Sequence, residues 1–157
     1  MKIDVTNLQD AVPIRQAAIR RIVRAALGDL LGCYSVVFVD DERMTEVNRK
    51  YLGRDDTTDV IAFPFDDAPL TRDDCAGEIL VSAQRAAEEA TRRGTDEQAE
   101  LALYVVHGAL HLVGLDDTCP RCAAEMHDQE KKILAGLGYD VARLWKPVKA
   151  RTKRARS

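Results

Sequence analysis

No stretch of this 157-residue chain approaches the ~20 consecutive apolar residues of a membrane-spanning helix. The opening segment MKIDVTNLQD lacks a cationic region followed by an apolar one, so no secretory signal is expected and a cytoplasmic location is. Cysteine is sparse, with only Cys33, Cys75, Cys119 and Cys122, and in a reducing compartment all four are expected to be thiols. Aromatic residues make up 5% of the chain, which leaves little material for broad stacking surfaces. No internal repeat or low-complexity linker interrupts residues 1–145.

What is present suffices for one globular domain. A chain of this length buries about 70% of the surface its unfolded form exposes, so it needs no disulfide or structural metal to hold a core. A metal here would serve function. The formal charge of −3 hides an asymmetry, because Lys146, Lys149, Arg151, Lys153, Arg154 and Arg156 crowd the last twelve residues with no acid among them. We therefore divide the chain into a domain over 1–145 and a basic, flexible tail over 146–157. Such a tail suits a polyanion such as RNA, and equally a merely solubilising end.

Residues 2–6 read as a short strand. From Pro13, apolar residues recur at three- and four-residue spacing through Leu30, the pattern of an amphipathic helix. Residues 34–39 (YSVVFV) are β-branched and aromatic and predict a strand, after which Asp40 or Asp41 can cap a helix over 42–51. The run 59–65 (DVIAFPF) predicts a strand that Pro64 confines to an edge or an end. A strand over 77–82 should flow into a helix over 83–93, stopped by Gly94. Thr95 is the expected N-cap of a helix over 96–113, with Gly114 as its stop, and a last helix is expected over 120–135. About four strands and five helices predict an α+β fold, a small mixed sheet covered by helices.

The chemistry concentrates in HGALHLVGLDD, residues 107–117. On a helix, His107 and His111 differ by about 40° in azimuth and 6 Å in height, so both imidazoles can reach one ion. Asp117 would lie beyond reach were the helix continuous. Gly114 can adopt the left-handed conformation that ends it and returns the chain, so that Asp117 offers a third ligand. Two histidines and a carboxylate with a fourth position open to water describe a catalytic site. The spacing is also that of metzincin proteases, but Gly108 stands where their general-base glutamate belongs, which disfavours peptide hydrolysis. A rival site would join Cys119 and Cys122 (CPRC) to the two histidines, giving a closed Cys2His2 structural zinc centre. Pro120 argues against it, since proline suits the first turn of a helix. His127 falls inside that helix and reads as surface or core.

HGALHLVGLDD resembles the signature of the YbeY family, bacterial endoribonucleases of ribosomal-RNA maturation, whose usual pattern is HGxLHLxGYDH. A second segment agrees: Asn48, Tyr51, Asp55, Thr58, Asp59, Val60, Phe63 and Pro64 match the family's N-x-x-Y-x-x-x-D-x-x-TDVLSFP, with Ile61 for Leu and Ala62 for Ser. The strand over 77–82 resembles a third landmark. Together these span roughly residues 34–139. The resemblance implies a small sheet packed on helices, a zinc ion at one end of a cleft, and single-stranded RNA as substrate. Three positions depart from the pattern: Asp117 replaces the third histidine, Leu115 replaces Tyr, and Leu52 stands where Arg is frequent.

A carboxylate in place of an imidazole lowers the net charge of a zinc site from +2 to +1, which weakens Lewis acidity. It also admits Mn2+ or Mg2+ more readily. With Leu52 unable to hold a phosphate, Arg54 or Arg49 can partly substitute; Arg54 is assigned that role, its alternative being a solvated loop charge. Asp116 is the one acidic neighbour available as general base, or else as a group orienting a histidine. The expected protein is a metal-dependent endoribonuclease whose activated water attacks a phosphodiester of ribosomal RNA, bound as free RNA or in a ribosomal subunit. The sparse aromatics predict weak sequence preference. A different class also fits, a zinc-containing ribosome-assembly or RNA-binding factor that does not cut.

Overall fold

The computed structural model describes residues 1–55, 58–65 and 71–144. The basic tail expected over 146–157 lies outside them. The elements follow one another as β1 (Lys2–Asn7), α1 (Gln16–Leu27), β2 (Cys33–Val39), α2 (Asp41–Leu52), β3 (Val60–Pro64), β4 (Cys75–Ser82), α3 (Ala83–Arg93), α4 (Glu97–Leu112) and α5 (Pro120–Gly136). The strands form one mixed sheet in the order β1-β2-β4-β3, as the α+β reading expects. β1 and β4 both run parallel to β2, while β3 pairs antiparallel to β4. Pro64 closes the edge strand β3, where its missing N–H breaks no ladder.

Alternation along the strands gives the sheet two different faces. Val36, Phe38, Val60, Ile79 and Val81 point to one side and share a core with Ile22 and Val23 of α1 and Val105, Val106 and Ala109 of α4. Val39, Ile61 and Leu80 point to the other, where among the described residues α2 covers them through Met44 and Val47. Every residue from Ala99 to Leu110 is buried, so α4 is an interior helix and needs no polar face. Among the described residues no helix is long and apolar enough to cross a membrane.

Two helix starts differ from expectation. Asp96, not Thr95, caps α4: its Oδ2 accepts from Ala99 N–H at 3.2 Å, while the N–H of Thr95 donates back to Ala90 O in the turn that ends α3. Thr95 belongs to the end of one helix rather than the start of the next. The first helix begins at Gln16 rather than Pro13, whose carbonyl accepts from Gln98 Nε2 at 2.9 Å, and it stops at Leu27. Leu30, expected on its apolar face, lies beyond it.

Candidate metal centre

The site forms where α4 ends. Val113 N–H and Leu115 N–H both donate to Leu110 O, and Gly114 N–H donates to His111 O. Gly114 has φ of +97°, a conformation that side chains resist, so the turn after α4 rests on this glycine. The reversal carries Asp117 back over the helix. Its Oδ2 lies 3.6 Å from His107 Nε2 and its Oδ1 4.0 Å from His111 Nε2, while the two Nε2 atoms are 3.1 Å apart.

These separations suit one ion. Donors about 2.0–2.1 Å from a tetrahedral zinc stand about 3.4 Å from one another, and the three observed separations bracket that value. Among the described residues, His107, His111 and Asp117 form the group that offers a metal three ligand atoms, all within 4.8 Å of one another. The histidine side chains are nearly buried, at 10% and 12% exposure, and Asp117 at 36% forms the open side. A centre walled on the histidine side and open on the carboxylate side leaves room for a substrate.

Glu130 was not foreseen from the sequence. Its Oε2 lies 2.6 Å from His107 Nδ1, and its side chain is 2% exposed. A carboxylate there holds the imidazole proton on Nδ1 and directs the Nε2 lone pair toward His111 and Asp117. The signal was present: Met126, Glu130 and Leu134 recur at four-residue spacing on the buried face of α5, and an acid in an apolar stripe calls for a partner.

Asp116 is exposed, and its Oδ1 accepts from both the N–H and the hydroxyl of Thr118, so it shapes the loop between α4 and α5. Arg54 is half-buried on the loop that leads toward β3, its N–H donating to Asn48 O. Arg49, the other candidate, has its Nε 2.8 Å from Asp55 Oδ1. His127 is exposed on α5.

Cys119 and Cys122 are joined in a disulfide, which corrects the expectation of four thiols; Cys33 and Cys75 are free. Paired sulfurs cannot ligate as thiolates, so the Cys2His2 alternative does not hold in this state. Cys119 is instead the N-cap of α5, with Pro120 in its first turn. Gly108 also acquires a reason. A Cβ there would stand 2.5 Å from Ile79 Cγ2 and 2.9 Å from Val60 Cγ2, so this position faces the sheet and a glutamate could not reach the three candidate donors.

Comparison with known proteins agrees with this architecture. The family model described as Endoribonuclease YbeY matches residues 4–138. The chain is 34% identical over 142 residues to the Endoribonuclease YbeY of Carboxydothermus hydrogenoformans, covering 87% of this chain and 98% of that protein. It is 35% identical over 153 residues to the protein of the same name from Symbiobacterium thermophilum, covering 88% and 98%. The solution structure of TM1509 from Thermotoga maritima superposes with a TM-score of 0.57 at 22% identity, covering 86% of this chain and 91% of that one, a likeness of fold. Family model, relatives and site motif coincide, and the chain belongs to the YbeY endoribonuclease family.

Proposed function

We propose that the protein is a metal-dependent endoribonuclease that cuts single-stranded RNA in ribosomal-RNA maturation, with His107, His111 and Asp117 as metal ligands. Its relatives carry the name endoribonuclease. The observation that carries the ligand assignment is the convergence of three donor atoms at the end of a buried helix, backed by a buried carboxylate. Zinc is the ion we assign, and the carboxylate ligand widens the choice to Mn2+ or Mg2+. When bound, the ion supplies Lewis-acid activation of water and neutralises charge on the scissile phosphate.

The chain's own residues do the rest. Glu130 fixes the tautomer of His107, so the ligand lone pair is set before any ion arrives. Arg54 is assigned to a substrate phosphate, which a guanidinium can hold through two donors. Asp116, beside the ligand Asp117, is assigned as proton acceptor through Oδ2, since Thr118 engages Oδ1. Residues 146–157 add sequence-independent attraction to phosphates in the cytoplasm, on free ribosomal RNA or on a ribosomal subunit.

The test is cleavage of a generic single-stranded RNA with and without chelator, alongside metal content. Wild type should cut and lose activity to chelator, and His111→Ala and Asp117→Ala should lose both metal and cleavage. Cleavage that persists in His111→Ala would leave a contaminating nuclease as its source. RNA binding without cleavage in the metal-loaded protein would establish the assembly-factor reading instead.

A further inference from the structure

Among the described residues, the sheet face opposite the candidate metal centre is only partly covered. α2 shields Val39, Ile61 and Leu80, and beyond its last turn the sheet opens into a groove of about 400 Å³ lined by Val47, Tyr51, Phe63, Phe65, Glu78 and Leu80. That volume lies within the usual range for small-molecule sites. Two of the chain's three phenylalanines and one of its four tyrosines gather here, so a sequence poor in aromatics concentrates them in one place. Tyr51 is 60% and Phe65 45% exposed. The Tyr51 and Phe63 rings meet edge to face at 5.7 Å. Lys50 Nζ lies over the Tyr51 ring, 5.4 Å from its centroid, and would have to swing toward the phosphate for a base to stack on that face.

Glu78 breaks the apolar lining. It pairs with Phe63 across the β3–β4 ladder and is half-buried, and no hydrogen bond or ion pair engages its side chain among the described residues. A carboxylate held in an aromatic groove needs a donor, preferably one that offers two parallel N–H groups. Among the RNA bases only guanine presents N1–H and N2–H side by side. Uracil flanks its single N–H with carbonyl oxygens that a carboxylate repels, and adenine and cytosine set an acceptor beside the amino group.

We infer that this groove binds a guanine base of single-stranded RNA, stacked on Tyr51, with its N1–H and N2–H donated to Glu78 and its phosphate near Lys50. The inference rests on the endoribonuclease reading and adds a sequence preference to it. β3 is the edge strand between the two places: the Phe63 side chain lines the groove, while Val60 packs toward Gly108, the neighbour of His107. An RNA strand crossing this edge would join the guanine site to the metal centre, so cuts should fall at a fixed offset from guanine.

The test compares a short uridine oligoribonucleotide with the same oligomer carrying one guanosine, by equilibrium binding in chelator and by cleavage mapping with metal. Wild type should prefer the guanosine oligomer about tenfold, the discrimination expected of one bidentate contact. Glu78→Gln should abolish the preference without weakening uridine binding, Tyr51→Ala should weaken both oligomers about tenfold, and Tyr51→Phe should restore binding. Free GMP should compete only weakly, since it lacks the strand that crosses β3. Cleavage with scattered cuts and equal binding in folded Tyr51→Ala and Glu78→Gln overturns the guanine site and leaves the groove to a protein partner. If wild type neither binds nor cuts either oligomer, the endoribonuclease reading itself fails.

Discussion

Glu130 Oε2 and His107 Nδ1 lie 2.6 Å apart, joining the middle of α5 to the penultimate turn of α4 across 23 residues of sequence. The carboxylate is buried and so is the imidazole. Glu130→Gln keeps an acceptor for Nδ1–H but loses the charge, and should weaken metal binding about tenfold. Glu130→Leu should weaken it by up to about 100-fold, the range seen when partners of metal-binding histidines are removed. Competition with a chromophoric chelator measures both, and a folded Glu130→Leu with wild-type metal affinity would remove Glu130 from the site.

Gly108 is held by the sheet rather than by the chemistry. In Gly108→Ala, helix propensity favours alanine by about 1 kcal/mol. The new Cβ would press on the γ-methyls of Ile79 and Val60, which are β-branched and cannot turn aside. Overpacking costs about 1–3 kcal/mol and should win, so urea denaturation should show a net loss of up to about 2 kcal/mol. A more stable variant would mean that the sheet yields at this point.

The disulfide between Cys119 and Cys122 closes a very short loop. Chain entropy then limits its contribution to about 2 kcal/mol. Serine can still cap a helix at position 119, so Cys119→Ser with Cys122→Ser should melt slightly earlier and bind the same amount of metal. Loss of metal in this double variant would overturn the ligand set and revive the cysteine site.

Burial raises the Cys33 thiol above its ordinary pKa, and Asp4 adds to this by accepting the S–H and by its charge. Cys75 is exposed on the adjacent strand. Alkylation near the ordinary thiol pKa should therefore label Cys75 first, and Asp4→Asn should speed labelling of Cys33. Because the folded-state pKa is the higher one, the unfolded thiol ionises first as pH rises. Stability is unaffected below the ordinary thiol pKa and falls above it. Equal labelling rates in wild type and Asp4→Asn would dismiss the Asp4 contact.

Local signals carried far in this chain. Periodicity and end signals located the nine elements of the described residues, because glycine stops, proline exclusions and β-branched runs act within a few residues. They misplaced the start of α1 and the cap of α4, where a contact with Gln98 and the closing turn of α3 decided the outcome. The candidate metal group was legible for the same reason as the helices: His107 and His111 are one turn apart, and Gly114 permits the return that brings Asp117.

What lies far apart in sequence waited for the tertiary structure. Glu130 faces His107 only because α5 packs along α4, and Glu78 faces Tyr51 and Phe63 only because β3 pairs with β4 under the end of α2. Composition alone suggested too few aromatics for a stacking site. The fold gathers three of them in one groove, since strand pairing sets neighbours by register and not by abundance. Local spacing set the elements and the candidate triad of His107, His111 and Asp117, which is a property of one helix and one turn. Only packing decided which carboxylate orients a histidine and where an open sheet face remains, because both depend on residues that no local rule relates.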